Sequence, residues 1–278
     1  MSSNATHERT ILQQRDLKLR IATYVVSILI TILVLSPFII LFTTAEPGKK
    51  SELVRLITNP AKRLGKYWKD ISLFCQSELI FNFYNSIIVS VISTAGCMYV
   101  SAIAAYGLTA YEWKLKKPVE NFIIICMMIP TVISTIGYYQ FVWEIGMINH
   151  LSMVIMPAIA SPITVFFMRM YLQSTFSKEL VESGRLDGAS EFRIFNQIIL
   201  PLMKPAIATQ LIFCFSKVWY DQYVPAIILL ENDKKTLPIT WNIYVKIPEV
   251  FFFLPPIIVY IFCSKNIIEG VALGSVKY

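Results

Sequence analysis

Few residues of this 278-residue chain have the types and spacing that catalysis requires. Its two histidines, His7 and His150, stand in unrelated segments, so they form neither a catalytic triad nor a metal cluster. No C-x-x-C occurs, and the phosphate-binding pattern G-x-x-x-x-G-K-[ST] is absent, since Gly48-Lys49 follows Thr43 where that pattern needs a glycine. We therefore expect no catalytic residue and no bound metal or cofactor in this chain.

One ionisable pair stands inside an otherwise apolar run. Lys217 and Asp221 are four residues apart, so on a helix they share a face and can form an ion pair. Pairing would offset the cost of about 2.5–3.5 kcal/mol for a lone charge at the centre of a membrane. The residues alone leave two interpretations open: a functional pair on a transport pathway, and a structural ion pair.

The composition indicates a membrane protein. Hydrophobic residues make up 55% of the chain and charged residues only 15%, whereas soluble domains have about 25% charged residues. These values exclude a disordered chain, and 5 cysteines in so long a chain exclude a disulfide scaffold. The basic residues behind the net charge of +7 lie between the apolar runs, which indicates membrane topology rather than nucleic-acid binding.

Six apolar runs have about the 20 residues that a helix needs to cross a bilayer. We expect an all-α integral membrane protein with spans at 21–43, 85–108, 119–142, 151–172, 206–230 and 243–263. These spans divide the chain into a polar arm (1–20), a first helix (21–43), an external loop (44–84), a transmembrane core (85–265) that includes the connection 177–205, and a tail (266–278). The first run exceeds the apolar core of a signal peptide, so we expect it to remain uncleaved.

The basic residues favour a cytoplasmic location for both termini. The arm before the first span contains Arg9, Arg15, Lys18 and Arg20, and the connection 143–150 contains no Lys or Arg. The seven basic residues of the first external connection oppose this assignment: Lys49, Lys50, Arg55, Lys62, Arg63, Lys66 and Lys69.

Proline interrupts several of the predicted spans, at Pro130, Pro157, Pro162 and Pro225 among others. Proline is more frequent in membrane helices than in soluble ones, which is the plainer explanation. Broken helices around a cavity are the other explanation, because freed backbone groups are tolerated where protein or water meets them. The number of interrupted spans favours a transporter or channel over a simple anchor.

The connection 177–205 has an amphipathic pattern and predicts two short helices outside the membrane. Apolar residues and a glycine recur at helical spacing: Val181, Gly188, Phe192, Phe195 and Ile199. Asp187-Gly188 is a turn dipeptide, Ser177 and Ser190 can cap the two helices, and Pro201 can end the second. Glu182, Arg185, Glu191 and Arg193 remain available to water.

This amphipathic pair needs a surface on which to bury its apolar stripe. It can pack against its own spans or lie in the lipid interface. Alternatively, it is a docking element that a groove of a cytoplasmic protein receives.

The same segment resembles the EAA motif of the permease subunits of ATP-binding-cassette (ABC) importers. Glu182-Ser183-Gly184, Gly188, Ile198 and Leu200-Pro201 stand at the motif's spacing. Arg185-Leu186-Asp187-Gly188-Ala189-Ser190 and Leu200-Pro201-Leu202 are similar to the carbohydrate branch, in particular the smaller maltose-type subunit. Ser183 and Gly184 replace the two alanines of the motif, and the glycine weakens the first helix by about 1 kcal/mol.

The resemblance implies an importer of sugars or oligosaccharides in a bacterial cell membrane. Its parts would be this multi-pass chain, a second permease that is a paralogue, an external substrate-binding protein and two cytoplasmic ATPase subunits that bind ATP and Mg. Coupling to the ATPase would involve Glu182, Ser183, Gly184, Asp187, Gly188, Ala189, Phe192, Phe195, Ile198, Leu200 and Pro201. The chain would contact membrane lipid and no nucleic acid.

Aromatic faces with polar edges are typical of sugar sites, so the resemblance also suggests a substrate pathway. Its candidates are Lys217, Trp219, Tyr220, Asp221, Tyr223, Tyr138 and Tyr139. For Tyr138 and Tyr139, interfacial belt aromatics are the plainer explanation.

Three rival functions remain. An ABC permease for a non-sugar cargo would keep the docking element. A stand-alone secondary transporter would use Lys217 and Asp221 for ion coupling and would have no need of a docking element. A membrane enzyme would need a cluster of His, Asp or Glu, and the sequence contains none near an interface.

Overall fold

The computed structural model describes residues 19–36, 60–77, 79–241 and 249–275, and every regular element of these residues is a helix. We number the helices α1 (Leu19–Ser36), α2 (Pro60–Gln76), α3 (Leu79–Ala110), α4 (Lys116–Met128), α5 (Thr131–Glu144), α6 (Ser152–Ile159) and α7 (Pro162–Thr175). The remainder are α8 (Lys178–Leu186), α9 (Glu191–Leu202), α10 (Lys204–Trp219), α11 (Tyr223–Ile228), α12 (Leu237–Trp241) and α13 (Glu249–Ser275). The expectation of an all-α membrane protein is confirmed.

Three of these segments are long and apolar enough to cross a membrane: α1, α3 and the stretch Ser152–Thr175. Two bent pairs raise the number to five if each pair is one span, namely α4 with α5 and α9 with α10–α11. The predicted sixth span begins in residues 242–248, outside the described residues, and the apolar part of α13, Phe251–Asn266, is shorter than a full span. The described residues thus provide three to five of the six predicted spans.

Proline breaks two of the predicted spans. The chain bends by 99° between α4 and α5, where Ile129 and Pro130 are extended. Helix α6 ends before Ala160, and Pro162 starts α7, where its missing N–H and fixed φ suit a helix N-terminus. Pro201 was expected to end the second amphipathic helix, but it lies in the last turn, and α9 ends at Leu202.

The contacts divide the chain into two compact units, residues 1–69 and 70–278. In the first unit, the described side chains of α1 are almost all exposed and mostly apolar. The predicted external loop 44–84 contains helical residues, because α2 starts at Pro60 and α3 begins at Leu79 rather than at residue 85.

Helix α3 is the centre of the second unit and packs against α6, α7 and α10. Small buried residues such as Ser90, Ser93 and Ala102 line this helix. Small side chains let membrane helices approach closely, and a Cβ at Gly96 would stand 2.9 Å from Ile159. Helix α10 packs on its other side against α13. These contacts fix the helices that surround the candidate sites.

Candidate functional site

Helix α8 ends in a left-handed turn at the predicted Asp187-Gly188 dipeptide. Gly188 has a φ of 77°, which a residue with a Cβ resists. The Gly188 N–H donates to the Arg185 carbonyl and the Ala189 N–H to the Gly184 carbonyl, both at 3.0 Å, which is the hydrogen-bond pattern of a Schellman motif. The reversal between α8 and α9 therefore depends on Gly188.

The two predicted caps differ. The Ser190 hydroxyl accepts a hydrogen bond from the Arg193 N–H at 3.4 Å, so the predicted cap of the second helix is confirmed. The Ser177 side chain makes no hydrogen bond to the backbone of α8, and its hydroxyl donates instead to the Glu179 carboxylate. That hydrogen bond lowers the pKa of Glu179.

Most of the predicted apolar stripe packs against the chain's own spans. Val181, Phe195 and Ile199 are buried, and the Phe195 ring lies 5.7 Å from the Tyr99 ring and 5.8 Å from the Tyr106 ring of α3. Packing on its own spans therefore accounts for the stripe, except for the exposed Gly188 and for Phe192, which is 70% exposed.

Gly184 provides the close approach between α8 and α9. It is buried, and a Cβ there would stand 3.2 Å from side-chain carbons of Ile194 and Ile198. Gly184 replaces an alanine of the motif, and this packing is the structural reason that a glycine suits the position. Ile198 and Leu200 are half-buried.

A second face of the helix pair is exposed and partly apolar. Leu186 is 89% exposed, Phe192 70% and Leu180 41%, and the exposed Glu182 makes no ion pair within the described part of the chain. We call Glu182, Leu186 and Phe192 the docking face. The sequence prediction missed Leu186, although it stands four residues after Glu182 and thus on the same side of the helix.

The other predicted coupling residues lie around this face. Ser183, Asp187, Gly188 and Pro201 are exposed, and Ala189 is half-buried in the turn between the two helices. The structure thus brings the motif together in one compact helix pair.

A carboxylate at the start of α9 joins the pair to α3. The Arg185 Nε donates to Glu191 Oε1 at 2.6 Å, and the Tyr111 hydroxyl donates to Glu191 Oε2. The hydrogen bond from Arg185, and then that from Tyr111, hold the pKa of Glu191 below its usual range. As predicted, both charged side chains are solvent-accessible, but their pairing across the turn was not predicted.

A cavity of about 630 Å³ lies among helices α4 to α7, α10 and α11. Its walls are mainly apolar and include the exposed Phe213 ring. Its polar lining residues are Thr131, Ser161, Thr164, Gln210, Lys217 and Asp221. The cavity therefore combines aromatic surface with one cation, one carboxylate and neutral hydrogen-bonding groups.

Lys217 and Asp221 both line this cavity, but they do not form the predicted helical ion pair. Helix α10 ends at Trp219, so the four-residue spacing no longer places the two side chains on one helix face. Asp221 Oδ1 instead accepts a hydrogen bond from the Tyr223 N–H at 2.9 Å. Among the described ion pairs, none joins these two residues.

Trp219 lies in the core and not at the cavity. It is fully buried, and its Nε1–H donates to the Phe252 carbonyl at 2.8 Å. Its ring stacks on Phe215 with centroids 5.9 Å apart and meets the edge of Phe83 at 6.0 Å. These contacts give Trp219 a role in packing α10 against α3 and α13.

The four predicted tyrosines also lie outside the cavity lining. Tyr138 donates to the Met153 carbonyl at 2.6 Å, and Tyr139 lies near Trp143 with ring centroids 6.2 Å apart. Tyr220 lies beside Phe252, and Tyr223 is exposed. Gln210, Phe213 and Lys217 stand at helical spacing along α10, and this stripe could have identified the cavity face from the sequence.

The chain is similar in sequence to a known protein family and to several curated proteins. The family described as "Binding-protein-dependent transport system inner membrane component" matches residues 97–265, which is more than half of the chain. The match includes α4 to α12, and therefore the helix pair and all of the cavity lining.

Two relatives from Bacillus subtilis strain 168 illustrate the similarity. The chain is 33% identical over 260 residues to the melibiose/raffinose/stachyose import permease protein MelC, covering 87% of this chain and 91% of MelC. It is 29% identical over 271 residues to the arabinooligosaccharides transport system permease protein AraQ, covering 93% of this chain and 96% of AraQ.

A solved structure shares the fold. A chain of a bacterial ABC transporter involved in the import of the acidic polysaccharide alginate matches with a TM-score of 0.63. The match covers 92% of this chain and 96% of that chain at 16% sequence identity.

Proposed function

Because the chain belongs to the family of binding-protein-dependent transport system inner membrane components, we propose that it is the permease subunit of an ATP-driven importer of sugars or oligosaccharides. The observation that carries the proposal is the docking face, where a helix pair that buries its own stripe still exposes Leu186 and Phe192. An exposed apolar patch with a polar rim marks a site of protein or membrane interaction. The names of MelC and AraQ support a sugar as the cargo.

The docking face would bind a cytoplasmic ATPase subunit. Leu186 and Phe192 would enter an apolar groove, and Glu182 would pair with a basic residue at its rim. Burial of the two apolar side chains would contribute about 3–6 kcal/mol to this contact. ATP and Mg would be bound by the ATPase, and this chain would supply no catalytic group.

The complex would also contain a second permease, expected to be a paralogue, and an external substrate-binding protein. The docking face would lie in the cytoplasm, with both termini on the same side of a bacterial cell membrane. This orientation agrees with the basic arm at 1–20 and with the absence of Lys and Arg from 143–150.

The cavity would form this subunit's share of the substrate pathway. Lys217, Asp221 and Gln210 can hydrogen-bond sugar hydroxyls, and Phe213 offers an aromatic face. Tyr220 and Tyr223 remain candidates for a neighbouring part of the path because both are exposed at the end of α10. Trp219, Tyr138 and Tyr139 would support the helices that surround the path.

Co-purification tests the proposal. The tagged chain is extracted from membranes of its native host, its bound proteins are identified, and the ATPase activity of the complex is measured with its binding protein. Arabinooligosaccharides, melibiose, raffinose and stachyose are added in turn. We expect an ATPase in the complex and stimulation by at least one sugar. A preparation without any ATPase would overturn the proposal, and an ATPase that responds to none of these or other sugars would overturn the sugar assignment.

A further inference from the structure

Three side chains from outside helix α9 contact the carboxylate of its first residue, Glu191. Arg185 of α8 donates to Oε1 at 2.6 Å. Tyr111, which follows the end of α3, donates to Oε2, and the Tyr106 hydroxyl of α3 lies 3.4 Å from the same oxygen. One carboxylate therefore holds α8, α9 and the end of α3 together.

The contacts are charge-assisted and mutually supporting. The Arg185 guanidinium lies 5.9 Å from the centre of the Tyr111 ring, so the cation contacts both the carboxylate and the aromatic residue that donates to it. Hydrogen bonds to an ionised carboxylate are about twice as strong as those between neutral groups. The Glu191 carboxylate and its three partners can therefore transmit a displacement of the helix pair to the end of α3.

Contacts extend from the Glu191 carboxylate into helix α3, and α3 in turn packs on the helices that line the cavity. Tyr106 is buried, its ring contacts Phe195 of α9, and Tyr99, about two turns away on α3, donates to Asn196 Oδ1 at 3.3 Å. Helix α3 packs directly on α6, α7 and α10, and all three of these helices line the cavity. A movement of α8 and α9 thus has a continuous route to the cavity walls.

We propose that Glu191 is a positioning residue that passes the movement of the docking helices to α3 and so couples ATP hydrolysis to the cavity helices. The inference rests on the proposed function and adds a residue to it. Glu191 is not one of the docking-face residues, and its carboxylate contacts Arg185 and the two tyrosines. Its loss should therefore uncouple transport from hydrolysis while the ATPase remains bound.

The test measures sugar taken up per ATP hydrolysed by the complete complex in proteoliposomes, with Glu191→Ala compared with wild type. The matched control is Glu112→Ala, because Glu112 is also an exposed carboxylate with an ion-pair partner, Lys116 Nζ at 2.8 Å, next to Tyr111 in the chain. Losing one hydrogen bond to a charged group corresponds to about tenfold or more. Because Glu191→Ala removes all the hydrogen bonds of the carboxylate, we expect the ratio to fall by at least this factor and to stay unchanged for Glu112→Ala.

A second variant, Tyr111→Phe, keeps the inference testable if the Glu191 variant does not assemble. It removes a single hydroxyl, and we expect it to lower the same ratio while combining non-additively with Glu191→Gln. If the sugar taken up per ATP hydrolysed stays at the wild-type value in these variants, the inference is overturned. This holds both when uptake is unchanged and when uptake and ATP hydrolysis fall together. The wild-type complex in the same assay tests the proposed function separately, because a complex without ATPase or sugar uptake would refute that function whatever Glu191 does.

Discussion

The docking helix pair and the cavity are built in different ways. The helix pair is determined by contacts within a short stretch, since the Schellman turn at Gly188, the cap at Ser190 and the Arg185–Glu191 ion pair all join residues a few positions apart. The cavity is lined by residues from 127 to 224, on helices that approach one another only after folding. Local rules therefore govern the first region and tertiary packing governs the second.

The largest effect is expected at the turn of the helix pair. Gly188→Val places a β-branched side chain at a φ of 77°, where a residue with a Cβ costs about 1–2 kcal/mol, so α9 and the docking face would be displaced. Sugar uptake by whole cells should be abolished while the amount of the chain in membranes stays the same. Gly107→Ala, in open space on α3, is the control and should retain uptake. Normal uptake by Gly188→Val would show that the turn is not needed for coupling.

A smaller effect is expected in the cavity. Asp221→Asn removes the charge beside Lys217 but keeps an oxygen that can accept the Tyr223 N–H, so the fold should persist. The sugar concentration that half-stimulates the ATPase should rise about three- to tenfold, the range for one lost hydrogen bond. Glu144→Gln, outside the cavity lining, is the matched control. A dose–response curve identical to wild type would reduce Asp221 to a packing residue.

The smallest effect separates packing from the pathway. Trp219→Phe removes the hydrogen bond to the Phe252 carbonyl, worth about 1 kcal/mol, and should lower the melting temperature of the purified chain by about 2–4 °C. The sugar dose–response of the assembled complex should not move, because Trp219 does not line the cavity. If the sugar dose–response shifts while the melting temperature is unchanged, Trp219 contacts the substrate path.

The contrast between the two regions also explains what could be predicted from the sequence. Gly188 and Ser190 follow rules of φ and hydrogen bonding that act within one turn, and the structure has both as predicted. Lys217 and Asp221 were placed on one helix face by their spacing, but α10 ends between them at Trp219. After that end, Asp221 accepts a hydrogen bond from the Tyr223 N–H, a contact that the spacing of the two charges does not encode.

The docking face is a second feature that the spacing of residues in the sequence did not predict. The periodicity identified an amphipathic helix pair, but its apolar stripe is buried against α3 through Phe195. Of the two most exposed apolar residues of the helix pair, Phe192 belongs to this stripe and Leu186 has no periodic partner in it. The helices that pack against α8 and α9 determine which of their apolar side chains stay exposed.

The central claim is that the docking face binds a cytoplasmic ATPase subunit, and one measurement tests it directly. Leu186→Ser and Phe192→Ser are combined in the tagged chain, and the ATPase retained after purification is quantified beside wild type. Both side chains are exposed, so the change should leave the fold intact while removing about 3–6 kcal/mol of apolar contact. We predict that the wild-type chain retains the ATPase and the double variant loses it. Equal retention of the ATPase by both chains would contradict the account.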